Sequence, residues 1–264
     1  MIMPILYAVL ALSIMGLLFG ITLAFASKIF AVEKDERIPQ IQEVLTGANC
    51  GGCGYAGCSA FATAVAEGRA KINGCPVGGT KVAAKVAAIM GTEEIAEERK
   101  NAFVRCAGSA NSAIKKYEYK GEHDCNAVMR LGGGDKMCKY ACIGFGTCVK
   151  ACSFGALKIE NGVAVVDKEK CTACGLCISS CPKNLITLTP YDSAYAVACS
   201  SLDKGPAVRK QCSVGCISCR ICEKACEFGA IAIINNVAQI DFEKCTGCGV
   251  CAEKCPSKII HCNN

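Results

Sequence analysis

The sequence predicts an α+β chain: one N-terminal transmembrane helix, a small helical domain carrying cysteines, and two tandem cysteine-rich repeats. Three observations carry this. Residues 1–27 hold no charged side chain, and cysteine makes up 25 of 264 residues. An offset of 74 residues carries Cys142 to Cys216, Cys148 to Cys222, Cys152 to Cys226 and Cys171 to Cys245.

The first 27 residues would extend about 40 Å as a helix, enough to cross a hydrocarbon core of about 30 Å with some tilt. A signal peptide is the competing reading, encouraged by Ala24-Phe25-Ala26. Such a peptide has a positive first segment and a shorter apolar run, and this chain has neither. Lys28, Lys34 and Arg37 follow the span and no basic side chain precedes it. The positive-inside bias then puts the body on the cytoplasmic side. No Asp, Glu, Lys, Arg or His lies within the span, so this chain alone is not expected to conduct ions. Gly16 and Gly20 form a small-xxx-small pair suited to another membrane helix.

The next segments follow from composition and cysteine spacing. Residues 28–40 read as a linker, charged from Glu33 to Arg37, and residues 41–100 as a domain around Cys50-x2-Cys53-x4-Cys58-x16-Cys75. Four thiolates make one 4Fe–4S site. The glycines between them let the backbone wrap tightly and aim N–H groups at sulfur. Residues 59–70 have helix-favouring composition, and residues 80–100 read as helix broken at Gly91 before the acidic pair Glu93-Glu94. Residues 101–134 read as a connecting region. A zinc knuckle is the rival reading of the first tetrad.

The C-terminal half carries the sharper signal. Cys171-x2-Cys174-x2-Cys177-x3-Cys181-Pro182 returns as Cys245-x2-Cys248-x2-Cys251-x3-Cys255-Pro256. This is how bacterial two-cluster ferredoxins hold 4Fe–4S clusters, with the fourth cysteine crossing to the neighbouring cluster. Residues 135–190 and 208–264 are thus two such repeats. Cross-ligation gives Cys171, Cys174, Cys177 with Cys152, and Cys245, Cys248, Cys251 with Cys226. It also gives Cys216, Cys219, Cys222 with Cys255. The first repeat is irregular, because Phe145 stands where the second has Cys219. Cys138, aligned with Cys212, is expected to replace the lost ligand beside Cys142, Cys148 and Cys181. In each repeat a hairpin turns at Asn161-Gly162 or Asn235-Asn236, between alternating apolar residues.

Five clusters are therefore expected, each with four cysteines. Cys106, Cys125, Cys199, Cys212 and Cys262 stay unassigned. A lone pair such as Cys106 and Cys125 cannot close a cubane, and such thiols are more often buried as small hydrophobes. His123 and His261 read as surface or packing residues. A disulfide scaffold does not explain C-x2-C runs ending in Pro, and zinc does not explain C-x2-C-x2-C-x3-C. The formal charge of +6 counts every cysteine as neutral. Five clusters at about −2 each would take the assembled protein to about −4. The basic balance therefore belongs to the bare chain, and the chain has no Trp and no basic run with interleaved aromatics for nucleic acid. The motif of a flavin or nicotinamide site is absent too: Gly132-Gly133-Gly134 lacks the G-x-G-x-x-G context.

The order of parts resembles the B subunit of the Rnf-type ion-translocating ferredoxin:NAD oxidoreductase family. The match is carried by the N-terminal helix, the Cys50-Gly-Gly-Cys53-Gly-Tyr-Ala-Gly-Cys58 loop with Cys75, and the ferredoxin motifs. The second repeat departs from the family's short members. The resemblance implies a bacterial inner-membrane complex, several of whose subunits carry flavin. This component would take electrons from soluble reduced ferredoxin and pass them toward membrane partners and NAD, while the complex moves sodium ions or protons. Lys204, Arg209, Lys210 and Arg220 are candidate docking residues for an acidic ferredoxin. The alternatives are the polyferredoxin-like subunit of a membrane hydrogenase or formate dehydrogenase, and a redox sensor.

Overall fold

A computed structural model describes residues 2–29, 35–92 and 98–262. Part of the expected linker (30–34) and the acidic pair Glu93-Glu94 lie outside these residues. Helix α1 spans Ile2–Ile29 and is apolar all round. Its Val9–Lys28 stretch has a mean hydropathy of 2.4 and none of it is buried by the rest of the chain. Such a helix is long and apolar enough to cross a membrane. Pro4 sits in its first turn, where a missing N–H costs nothing. Thr22, polar within the span, donates its hydroxyl to the Leu18 and Phe19 carbonyls.

Three helices form the first domain: α2 (Arg37–Val44), α3 (Cys58–Ala66) and α4 (Gly79–Met90). The alanines of α3 let Phe61 and Val65 pack closely against Ile41, Leu45 and Val86. Gly91, left-handed at φ 65°, ends α4 as a helix C-terminus commonly requires. Cys53, Cys58 and Cys75 lie against this core.

The rest is built from paired short strands and one-turn helices. In chain order these are β1 (Lys100–Val104), α5 (Cys125–Arg130), α6 (Thr147–Lys150), β2 (Leu157–Glu160), β3 (Val163–Val166), α7 (Leu176–Ser180) and β4 (Ile186–Pro190). Then come β5 (Tyr195–Val197), α8 (Gly205–Arg209), α9 (Ile221–Lys224), β6 (Ile231–Ile234), β7 (Val237–Ile240), α10 (Val250–Lys254) and β8 (Ile260–Cys262). Hairpins β2–β3 and β6–β7 pair in the same register, Glu160 opposite Val163 and Ile234 opposite Val237. Asn161, Gly162, Asn235 and Asn236 all have positive φ, the backbone a two-residue hairpin turn demands.

Each repeat also recruits a strand from upstream. β1 pairs antiparallel with β4, Val104 facing Ile186, and β5 pairs with β8, Val197 facing Ile260. The next residue in each case donates its N–H at the end of the sheet: Arg105 to Leu185, and Ala198 to Ile259. β1 therefore belongs with the first repeat, and a boundary drawn at residue 100 cuts into its strand. The two repeats meet directly, the Ala107 N–H donating to the Ala198 carbonyl, Ile114 to Gln211 and Ser213 to Ser112.

Candidate iron–sulfur centres

Thiols of the two repeats ring small apolar cavities. One cavity, ≈ 330 Å³, is lined by Cys216, Cys219, Cys222 and Cys255. Another, ≈ 370 Å³, is lined by Cys226, Cys245, Cys248 and Cys251. These are the two sets that cross-ligation predicts for the second repeat. In the first repeat the Cys177 thiol is pushed up to about 11, by burial first and then by Cys171, Cys174 and Cys152. Cys222 is likewise pushed up to about 11, by burial and then chiefly by Cys216, Cys219 and Cys255. Burial also raises Cys75, with Cys53 and Cys58 adding to it. Buried, crowded thiols resist ionising on their own, so a metal cluster must displace their protons as it binds.

The cavity at the remaining set of the first repeat is lined differently from the spacing-based expectation. Spacing put Cys138 with Cys142, Cys148 and Cys181. The cavity of ≈ 390 Å³ around Cys142, Cys148 and Cys181 contains Cys125 instead. Burial, then Cys142, Cys181, Cys125 and Cys177, pushes Cys148 up to about 12. Cys138 lines a different cavity, with Cys106, Cys199 and Cys212.

The reason is an inserted segment that folds over the gap left by the missing middle cysteine. Phe145, at that gap, stacks on His123 with ring centroids 4.6 Å apart and meets Tyr119 at 5.4 Å. Asp124 caps α5 by accepting from the Asn126 and Ala127 N–H groups. The Thr147 hydroxyl donates to Asp124 Oδ2 and accepts from the Cys125 N–H, both at 2.9 Å. That latch fixes Cys125 beside α6. The one sequence hint was length: the stretch from Cys106 to Cys138 is much longer than that from Cys199 to Cys212.

Local backbone geometry aims the other ligands. Gly146, Gly175, Arg220 and Gly249 are left-handed and each starts the short helix that carries the next cysteine. Backbone N–H groups reach sulfur at matching places, Ala156 to Cys152 Sγ at 3.4 Å and Ala230 to Cys226 Sγ at 3.3 Å. The Ala102 N–H on β1 donates to Cys171 Sγ at 3.3 Å. Such donors stabilise negative charge on a ligating sulfur and raise a cluster's potential.

The donor sets fit iron–sulfur cubanes. The cavities at the Cys142, Cys216 and Cys245 sets are lined mostly by apolar side chains and cysteines, with few polar groups such as Thr147, Arg220 and Thr246. Among the described residues no three Cys, His, Asp or Glu side chains converge closely enough for one ion. The first domain's loop also abuts the first repeat: a Cβ on Gly52 would lie 2.8 Å from the Cys174 carbonyl oxygen.

Comparison with known proteins agrees with this chemistry. Residues 45–77 match the family model described as "Putative Fe-S cluster", residues 164–187 a "4Fe-4S binding domain" and residues 215–259 a "4Fe-4S dicluster domain". The chain is 47% identical to the B subunit of the Na(+)-translocating ferredoxin:NAD(+) oxidoreductase complex of Acetobacterium woodii, over 94% of this chain and 75% of that one. It is 43% identical to the B subunit of the ion-translocating oxidoreductase complex of Methanosarcina acetivorans, over 93% and 94%. Identity to the proton-translocating counterpart of Clostridium ljungdahlii is 43%, over 94% and 89%. The chain belongs to the B-subunit family of ion-translocating oxidoreductase complexes. It is an iron–sulfur electron-transfer component of such a complex, carries 4Fe–4S domains and is membrane-associated. These relatives do not favour the hydrogenase or formate dehydrogenase reading.

Proposed function

We propose that this protein relays electrons from reduced soluble ferredoxin toward flavin-bearing partners in the membrane, and so toward NAD. In this reading α1 spans the bacterial inner membrane once and the body stands on the cytoplasmic side. Five sets of cysteines would hold 4Fe–4S clusters: Cys50/Cys53/Cys58/Cys75, Cys125/Cys142/Cys148/Cys181, Cys171/Cys174/Cys177/Cys152, Cys216/Cys219/Cys222/Cys255 and Cys245/Cys248/Cys251/Cys226. Bound clusters of this kind supply one-electron transfer at tunable potential.

One observation carries the reading: the sets follow one another along the chain toward the anchor. Cys219 and Cys248, in the second repeat, are exposed. Cys174, in the first, abuts the loop of the Cys50 set, and the Cys50 domain follows α1. Electron tunnelling falls steeply with distance, so shared ligand loops and abutting backbones favour short hops.

The donor side would be the second repeat. Arg220 lines the cavity of the Cys216 set and is exposed, as are Lys204, Arg209 and Lys210. An acidic donor would be steered by that surface, and steering weakens with salt. The test is stopped-flow reduction of the anaerobic holoprotein by reduced ferredoxin. The rate is expected to fall with ionic strength and to fall several-fold in a Lys204→Glu, Arg220→Glu double variant. A rate unmoved by either sinks the docking surface. Failure of ferredoxin to reduce the protein at all sinks the donor.

A further inference from the structure

We infer that Cys106, Cys138, Cys199 and Cys212 form a sixth 4Fe–4S site, at the junction of the two repeats. It deepens the relay reading by supplying a link between repeats that the five proposed sets leave open. The four thiols line one cavity of ≈ 390 Å³. Three of the other sets likewise line cavities of their own. Cys106 Sγ and Cys212 Sγ both lie close to Gly108, 3.5 and 3.7 Å from where its Cβ would stand. Burial raises the Cys138 thiol, and Cys106 and Cys212 add to that rise.

Symmetry is the second observation. Cys106 follows β1 and Cys199 follows β5, strands that play the same part in their repeats. The offset that relates the repeats carries Cys138 to Cys212. Each repeat thus contributes one equivalent pair of cysteines. The contacts match too. The Cys142 N–H donates to Cys106 Sγ at 3.3 Å and the Cys216 N–H to Cys199 Sγ at 3.4 Å. Cys142 and Cys216 each belong to a neighbouring set, so the junction touches one set of each repeat through a single hydrogen bond.

Charge is the third. Lys136 is 5% exposed, and its ammonium donates to the Gly108 and Gly162 carbonyls at 2.7 and 2.8 Å. Among the described residues no carboxylate forms an ion pair with it. A buried cation of this kind is costly unless an anion stands nearby. Four thiolates around a cubane core leave a charge of about −2, and the carbonyl of Gly108 that Lys136 holds belongs to the cavity wall. Ligation releases four protons to solvent, and iron and sulfide enter as in the other sets. Only Cys262, of the 25 cysteines, is then left without a set.

The test uses the full chain in detergent, anaerobically reconstituted with iron and sulfide. Wild type is expected to hold about 24 iron per chain, and a Cys106→Ser, Cys199→Ser double variant about 20. Differential alkylation of wild-type holoprotein, read by mass spectrometry, is expected to leave all four junction thiols protected until the clusters are stripped. If these four label at once while the other sets stay protected, the sixth site is wrong and the five-set relay stands. If the motif cysteines label at once as well, the relay itself fails. The alkylation is decisive even where the double variant does not fold.

Discussion

At the scale of single residues, Cys125 carries the sharpest consequence. It lies far upstream of Cys142, Cys148 and Cys181, lines their cavity beside a hydroxyl–carboxylate latch, and in the proposed relay completes their set. A Cys125→Ser variant is expected to lose about four iron per chain, or to give a three-iron cluster with its own EPR signal. Iron unchanged from wild type would return the ligand role to Cys138. A second residue-scale effect lies a few residues beyond α1 in the chain. Asp35 accepts from the Arg37 guanidinium and backbone N–H, and these hydrogen bonds hold its pKa down at about 2. Because the folded value is lowered, the contact's stabilisation is present above the ordinary carboxylate range and is lost as pH falls toward 2. NMR titration of the Asp35 carboxyl is expected to give a midpoint near 2, returning toward 3.8 in Arg37→Ala.

Among the elements, the hairpins and the first-domain loop make separable predictions. Gly162 has φ +76°, and a Cβ there would meet Ala110 and Lys136 only at an ordinary contact distance of 3.9 Å. Gly162→Ala therefore tests backbone strain alone, and about 1–2 kcal/mol of stability should be lost in denaturant unfolding. Gly52 is the opposite case, a steric one. Its Cβ would collide with the Cys174 backbone, 2.8 Å away. Gly52→Ala is expected to keep its iron but slow electron exchange between the Cys171 and Cys50 sets, read by freeze-quench EPR after rapid reduction. Hairpin turns, the helix break at Gly91 and the ferredoxin-type loops were all legible in sequence, because each is decided by neighbours a few residues apart. The upstream strands β1 and β5 were not, since pairing across 82 or 63 positions leaves no short-range pattern (Val104 with Ile186, Val197 with Ile260).

For the whole molecule, the proposed relay would run from the second repeat, across the junction, to the first repeat and the domain that follows α1. Deleting residues 1–29 is expected to leave the iron content unchanged while abolishing flotation with lipid vesicles. Loss of iron on that deletion would mean that α1 helps to hold the body together. Lys136 belongs to this scale as well, since one buried cation faces parts of both the junction and the first-repeat hairpin.

What the sequence determined by itself was the chemistry and the anchor: thiols at cluster spacing, a duplicated motif, and an uncharged span. Those are properties of residues close together in the chain, where a few backbone torsions fix which sulfurs can share a cubane. Only the tertiary structure decided which distant thiols meet. Cys125 joins the first repeat because an inserted loop fills the hole at Phe145, and Cys106 joins Cys199 because two equivalent strands bring their ends to one junction. Loop closure over such lengths depends on packing rather than on spacing, and packing is the property that a linear pattern does not record.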